Sequence, residues 1–553
     1  MTSYTLRPRA YDDLLQDLLL ARGVEGDEAQ KQFLEPDFDR DSGDPMLLPD
    51  MEKAVERIRA AARNGEKVCV WSDYDCDGIP GGVMLTQFLR SIGLDVQHYI
   101  PHRHTEGYGL NENGIEELAG QGVTLIITID LGTTEIEQIA FANKRGIDVI
   151  VTDHHIVQES AQNFPGFALI NPKRPDSAYG FDGLCGAGVA WKLVQGILSK
   201  ERYGIAEGQE KWFLDLVGIS TLSDMVPLVG ENRMIAHFGL RVLRRNRRPG
   251  LASLLTLLKI KASMLTEDDI GFMVSPRINA ASRMDRPQKA AELLAAETQE
   301  DAQALAYDLN RINDERKGLV AATTKEVNRR LADMGTEGSV IVMGNPNWRP
   351  GILGLVANSL VEAHGKPVFL WGREGGDTIK GSCRAPDDVN LVELMTAARD
   401  AFIEFGGHSA SGGFSVEEGR VHELSAKLEA AYIKIQASKS AVAPTVLERE
   451  VGLEEVSHAS RALAQLAPFG VGNAKPLLIF PKVQIGRLRT FGKANDHLEI
   501  SMSKGDTQIA GVSFFSTPES FDKKPAGGMT ANIVGHIEND WRGKPRIRIV
   551  DII

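Results

Sequence analysis

The chain has 553 residues, 42% hydrophobic and 25% charged, a balance typical of globular protein and long enough for several domains of about 100–200 residues each. Its 62 basic and 75 acidic side chains give a formal net charge of −13, which excludes nucleic-acid binding by bulk charge and leaves local basic patches or metal ions as the means. No apolar run reaches the roughly 20 residues that span a bilayer, and no apolar leader core follows Met1. The four cysteines (Cys69, Cys76, Cys185, Cys383) form no Cys-x-x-Cys pair, so a cytoplasmic protein without a disulfide scaffold or zinc knuckle is expected.

Residues 1–45 predict a small helical lead-in, with Leu14, Leu15, Leu18 and Leu19 on one helical face. From Asp50 to about Ser223 short β-rich runs alternate with helical stretches. Strands are expected at 67–71, 95–100, 124–129, 147–151 and 167–170, and helices near 50–63, 80–92, 112–120, 134–145 and 186–199. That alternation predicts an α/β fold whose mostly parallel sheet is covered on both faces, with ligands bound outside the carboxyl ends of the strands. Residues 288–334 hold a single glycine, Gly318, and no proline, and predict one long connecting helix over 288–335. A smaller α/β domain is expected at 336–438, with strands at 340–343 and 367–371 and helices near 352–363 and 391–404, followed by a linker over 437–444. Residues 445–553 hold five strand-like runs near 478–489, 497–503, 507–515, 529–537 and 545–552, which suit an OB-like β-barrel; an SH3-like barrel would read similarly.

Three of the expected strands deliver acid or imidazole at their carboxyl ends. They run into Ser72-Asp73-Tyr74-Asp75-Cys76-Asp77-Gly78, into Asp130, and into Asp153-His154-His155. Asp224, in Ser223-Asp224-Met225-Val226-Pro227-Leu228, adds a carboxylate at the end of an apolar helix. Each alone could be a solvated loop, a turn residue or a helix cap. Together, carboxylates and imidazoles at buried strand ends are costly unless they share a cation. Candidate ligands are Asp75, Asp77, Asp130, His154 and Asp224; the oxygen donors suit hard divalent ions and the imidazole shifts preference toward manganese. In an extended backbone His155 points away from His154, so it is cast with Asp153 as an orienting or phosphate-facing group, and Asp73, Asp153 and His155 are the candidate catalytic residues beside the ligands.

These motifs, with Arg277-Ile278-Asn279-Ala280-Ala281-Ser282-Arg283, Gly381-Ser382-Cys383-Arg384 and Gly406-Gly407-His408, resemble the DHH phosphoesterase superfamily, and within it the bacterial RecJ-type single-strand exonucleases. The resemblance covers nearly the whole chain. It departs at Cys76, Leu131-Gly132, Ser282 and Arg349, the last standing where the family has histidine; none removes a metal ligand. It implies a DHH domain at 46–287, a DHH-associated substrate-binding domain at 336–438 and an OB domain at 445–553. It further implies 5′→3′ hydrolysis of single-stranded DNA to 5′-mononucleotides with two manganese ions, magnesium being the alternative, in recombination and repair.

By the same resemblance Ser382 and Arg384, with Arg277 or Arg283, hold the 5′-phosphate, and Gly406, Gly407 and His408 touch the strand. Arg103 and Tyr108 offer a phosphate contact and a stacking ring. On the barrel Arg487, Arg489, Arg546 and Arg548, with Lys482 and Lys493, could line a groove, and Phe491 or Trp541 could stack on bases. The arginines at 241, 244, 245, 247 and 248 read as a solvated helix end. A monomer is expected, with a helicase and a single-strand-binding protein as family partners. Two rivals remain: a DHH phosphodiesterase of short oligonucleotides, cyclic dinucleotides or pyrophosphate, and a non-catalytic single-strand-binding scaffold.

Overall fold

Strand β1 (Tyr4–Leu6) and two short helices, Leu14–Ala21 and Asp27–Leu34, open the chain. The structure, a computed structural model, describes residues 3–103, 106–157, 164–284, 286–334, 338–373, 379–436, 444–492 and 495–553. Most of the expected linker (437–443) and the candidate Lys493 lie outside these residues.

The first lobe is built on β2 (Lys67–Ser72), β3 (Asp95–Tyr99), β4 (Val123–Ile129), β5 (Asp148–Thr152) and β6 (Ala168–Ile170). All pair in parallel, in the order β3-β2-β4-β5-β6. Side chains alternate between two buried faces. Val68, Val70, Leu125 and Ile127 meet the helices Met51–Asn64, Gly78–Ser91 and Gly186–Lys200, while Cys69, Trp71 and Ile126 meet Glu112–Gly120 and Ile136–Lys144. Burial on both faces is why these strands read as continuous apolar runs. The strand order reverses between β2 and β4, and a crevice opens at the carboxyl ends of such a pair.

Where one long helix was expected there are two, Pro287–Ala295 and Gln299–Met334. The Thr298 hydroxyl accepts the Asp301 N–H (3.1 Å), a helix cap that starts the second one afresh. The second lobe carries β7 (Ile341–Gly344), β8 (Val368–Gly372), β9 (Ile379–Arg384), β10 (Glu404–Gly407) and β11 (Ser411–Val416), in the order β10-β11-β9-β8-β7. The helix expected over 391–404 stops at Ala397, because residues 404–407 are drawn into pairing with β11.

Beyond β12 (Thr445–Leu447) and β13 (Arg449–Glu450), strands β14 (Leu478–Phe491), β15 (His497–Lys504), β16 (Thr507–Ser513), β17 (Thr530–Asn539) and β18 (Pro545–Ile552) close a barrel. Its order is β14-β15-β16-β18-β17, with β17 returning to β14, an OB-type closure. The lead-in belongs to this barrel. β1 pairs in parallel with β12, and Leu18 and Leu19 enter the barrel core. Asp17, fully buried, accepts the Ala10 and Tyr11 N–H groups and pairs with Arg7 (2.6 Å) and Arg449 (2.9 Å). Arg233 of the first lobe fastens this unit by donating to the carbonyls of Phe33 and Leu466.

Candidate metal centre and interdomain cleft

The loop after β2 turns sharply into the helix Gly78–Ser91. A Cβ at Gly78 would stand 2.4 Å from the Asp73 carbonyl oxygen, so only glycine fits the turn. Asp75 Oδ1 accepts the N–H groups of Asp77 (2.7 Å) and Gly78 (3.1 Å), closing the loop on itself. Asn279, from the helix Ser275–Arg283, accepts the Cys76 N–H (2.9 Å) and holds the loop from outside. Asp77 accepts the N–H groups of Gly186 (2.6 Å) and Ala187 (2.9 Å) at the amino end of the helix Gly186–Lys200, where backbone donors favour an anion.

Asp130 follows β4 in a left-handed conformation (φ 63°), rare for a residue with a side chain and a mark of strain held by its surroundings. Gly186 packs against it; a Cβ there would stand 2.5 Å from the Asp130 Cβ. After β5, Asp153 turns inward and accepts the N–H groups of Thr133, His154 and His155 and pairs with His155 Nδ1 (2.7 Å). Asp153 is therefore spent on orientation. His154 Nε2 faces Asp130 (3.1 Å), Asp224 (3.7 Å) and Asp77 (3.8 Å).

Three overlapping groups emerge whose ligand atoms lie within 4.8 Å of one another: Asp77, His154 and Asp224; Asp73, Asp75 and Asp130; and Asp130, His154 and His155. The five expected ligands thus come together, with Asp73 joining them and Asp130 shared. Among the described residues Asp73 Oδ1 and Asp130 Oδ1 are buried with no hydrogen-bond partner, Asp130 Oδ1 facing the His154 and His155 imidazoles at ion-pair distance. Burial, then the like charge of Asp75, raises Asp77 to about 6; burial with Asp77 and Asp75 raises Asp224 to about 9. Burial and neighbouring carboxylates push Asp73 and Asp130 well above the usual carboxylate range. Burial also lowers His154 to about 4. Burial alone would raise Asp153, yet its bond to His155 holds it well below its ordinary value; burial opposes protonation of His155, but Asp153 lifts it to about 9. Orphaned carboxylate oxygens around a neutral imidazole fit divalent cations and little else.

The other substrate candidates gather around this centre. The Tyr108 hydroxyl donates to the Asp130 carbonyl (3.2 Å), and the Arg103 guanidinium lies 4.7 Å over the Tyr74 ring. Arg283 donates to the Gly351 carbonyl (2.9 Å); burial and the adjacent Arg103, Arg316 and Arg384 lower it to about 9. None of Arg103, Arg283 and Arg384 has a carboxylate at ion-pair distance among the described residues. Arg316, which the motifs did not single out, has a buried Nε without a partner among the described residues. An uncompensated guanidinium cluster of this kind has the chemistry to receive an anion. Arg277 is placed elsewhere, donating to Asn310 and the Met273 carbonyl.

A cavity of about 1140 Å³ separates the lobes, lined by Arg103, Tyr108, Ser382 and Gly406 among others, while Gly407 and His408 sit at the hairpin turn beyond it. A second cavity of about 500 Å³ leads from Asn279, Arg283 and Arg316 to Arg548 on the barrel. On the barrel itself Arg489 is paired with Glu499 and Arg546 with Glu538, Arg487 is exposed, and Phe491 contacts His497. The arginines at 244, 247 and 248 lie on the back of the first lobe, donating to the Leu265 carbonyl, stacked on Trp212, and paired with Asp215.

Comparison with known proteins agrees with this architecture. The family model described as DHH family, N-terminal domain, matches residues 67–221, the DHHA1 domain matches 337–434, and the RecJ OB domain matches 448–551. The single-stranded-DNA-specific exonuclease RecJ of Bacillus subtilis is 32% identical over 544 residues, 97% of this chain and 67% of the relative. That of Dickeya dadantii is 32% identical over 440 residues, 76% of this chain and 75% of the relative. RecJ of Thermus thermophilus in complex with Mn²⁺ superposes with a TM-score of 0.80 at 26% identity, covering 100% of this chain and 79% of that one. An exonuclease RecJ bound to manganese gives a TM-score of 0.60 at 31% identity, covering 71% of this chain and 96% of that one. A DHH sheet, a DHHA1 lobe and an OB barrel joined in this order, with relatives matched over most of both chains, make this chain a member of the RecJ exonuclease family.

Proposed function

We propose that the protein is a metal-dependent exonuclease that degrades single-stranded DNA 5′→3′ and releases 5′-mononucleotides. The observation that carries the reading is the pairing of a buried, unsatisfied carboxylate cradle with an uncompensated guanidinium cluster beside the interdomain cleft. Two manganese ions, or magnesium in their place, would be held by Asp77, His154 and Asp224 on one side and Asp73 and Asp75 on the other, with Asp130 reaching both. When bound they would supply Lewis acidity for the scissile phosphate and an activated water.

The chain's own residues do the rest. Arg103, Arg283, Ser382 and Arg384 grip the 5′-phosphate, which fixes the cut one nucleotide inward and makes the product a mononucleotide. Asp153 orients His155, whose 42% exposed side chain faces the cleft as a donor for phosphate oxygens. Tyr108, 49% exposed, offers its ring to the terminal base. Gly406 and the other glycines of its hairpin let the strand lie close to the backbone. The reading carries a cytoplasmic role in recombination and repair, beside a helicase that supplies the strand and a single-strand-binding protein that covers it.

The test is a comparison of the protein and Asp75→Ala with manganese on 5′-phosphorylated single strands, duplex, dinucleotides and pyrophosphate. The expected result is early release of a 5′-terminal label as mononucleotide from the long single strand, dependent on Asp75. Release from the 3′ end, or Asp75-dependent turnover of dinucleotides or pyrophosphate alone, would overturn it.

A further inference from the structure

The helix Gly230–Arg244 opens on consecutive buried polar side chains, Glu231, Asn232 and Arg233, and each bonds to a different part of the molecule. Glu231 accepts from the fully buried Lys192 ammonium (2.9 Å) and from the Tyr179 hydroxyl. Arg233 donates to the carbonyls of Phe33 (2.8 Å) and Leu466 (3.0 Å) in the barrel unit. Between these two anchors stands Asn232, with no exposed surface. Its Nδ2 donates to the Gly183 carbonyl (2.6 Å) and to the Pro227 carbonyl (3.0 Å), which uses both of its hydrogens. Its Oδ1 is buried without a partner among the described residues. An acceptor left unsatisfied is costly, so the amide is kept at this position for its donors.

Both carbonyls belong to segments that serve the metal centre. Gly183 lies just before Gly186 and Ala187, whose N–H groups grip Asp77, and Gly186 packs against Asp130. Pro227 lies just after Asp224, across a turn in which Met225 takes a left-handed backbone (φ 60°). Strain of this kind persists only where surrounding structure imposes it. The Met225 side chain is 70% exposed and gives the turn little packing of its own. The turn is held beyond Asp224 instead, by Asn232 on the Pro227 carbonyl and by the Leu228 N–H on the Val471 carbonyl (2.7 Å).

We propose that Asn232 is a positioning residue for the ion held by Asp77, His154 and Asp224. One amide ties the segment that grips Asp77 to the turn that presents Asp224, and so sets the gap between two carboxylates whose like charges repel. The proposal rests on the metal-dependent reading and deepens it. Asp73 and Asp75 sit in a loop closed by its own backbone bonds and by Asn279, so the effect falls on one ion of the two.

The test is equilibrium manganese binding to the full-length chain in its native form, as Asn232→Ala and as Asn232→Ser, with melting in chelator alongside. Asn232→Ala is expected to weaken one of two ions about 10–100-fold, as loss of a group that orients ligands does, and to leave the other within about twofold. Asn232→Ser keeps one donor and should lose less; it also carries the test if the alanine variant does not fold. In hydrolysis of single strands the variants should need more manganese, with KM for the strand unchanged once manganese saturates. A support of the fold alone would lower the melting temperature in chelator and leave the manganese requirement where it was. Two ions bound with native affinity by a folded variant would overturn the proposal, and so would equal weakening of both. A native chain that binds no manganese would overturn the metal-dependent exonuclease reading, and the proposal with it.

Discussion

The carboxyl ends of β2, β4 and β5 and the outer face of the barrel treat charge in opposite ways. In the first lobe Asp73 and Asp130 each bury an oxygen that makes no hydrogen bond among the described residues, and Asp130 is held in a strained backbone. On the barrel Arg489 and Arg546 stand on the surface and are already bound to Glu499 and Glu538. A site built to receive cations leaves its own charges unsatisfied at a cost in stability.

The sharpest break of that contrast is Asp130→Asn. Loss of the shared carboxylate should lower kcat by on the order of 10³-fold. The same change should stabilise the metal-free protein by about 0.5–2 kcal/mol, because it removes a buried like charge and asparagine tolerates the left-handed backbone; melting in chelator checks this. A melting temperature that falls would mean that Asp130 is satisfied within the fold. Next in size is Asp153→Asn, which leaves the candidate ligands in place but loosens His155. A loss of about 10–100-fold in kcat/KM is expected, measured at saturating manganese. Arg283→Ala should raise KM about tenfold for 5′-phosphorylated strands and erase their advantage over 5′-hydroxyl strands, whereas Arg277→Ala should lower the melting temperature and leave that advantage intact. Smallest of all, Arg489→Ala and Arg546→Ala should change strand affinity less than about twofold, as expected for exposed residues already engaged in surface ion pairs. A large effect there would put the barrel's charges in contact with the strand.

The metal cradle was legible in the sequence because several apolar strands that all end in Asp or His would bury unpaired charge unless a cation joined them. The sheet and barrel followed from the strand spacing. What escaped depends on contacts between distant segments. Nothing local says that β1 pairs with β12 or that Asp17 meets Arg449, so the lead-in read as separate when it is part of the barrel unit. The choice between Arg277 and Arg283 turns on which face of one helix meets Asn310 and which meets the cleft. Asn279 lay within a recognised motif, but its hold on the Cys76 N–H needs the two segments side by side. Arg316 carried no motif at all. The break before Gln299 was readable from Thr298-Gln299-Glu300-Asp301, a threonine cap with an acid three residues on, but the absence of proline and glycine masked it.

The central claim, that these carboxylates form a centre for two ions joined through Asp130, is tested most directly by counting manganese bound per chain at equilibrium, in the native protein and in Asp130→Asn. The account predicts two ions per native chain and fewer than two in the variant, with hydrolysis of single strands lost in parallel. Two ions retained in Asp130→Asn, or hydrolysis by a chain that binds none, would contradict it.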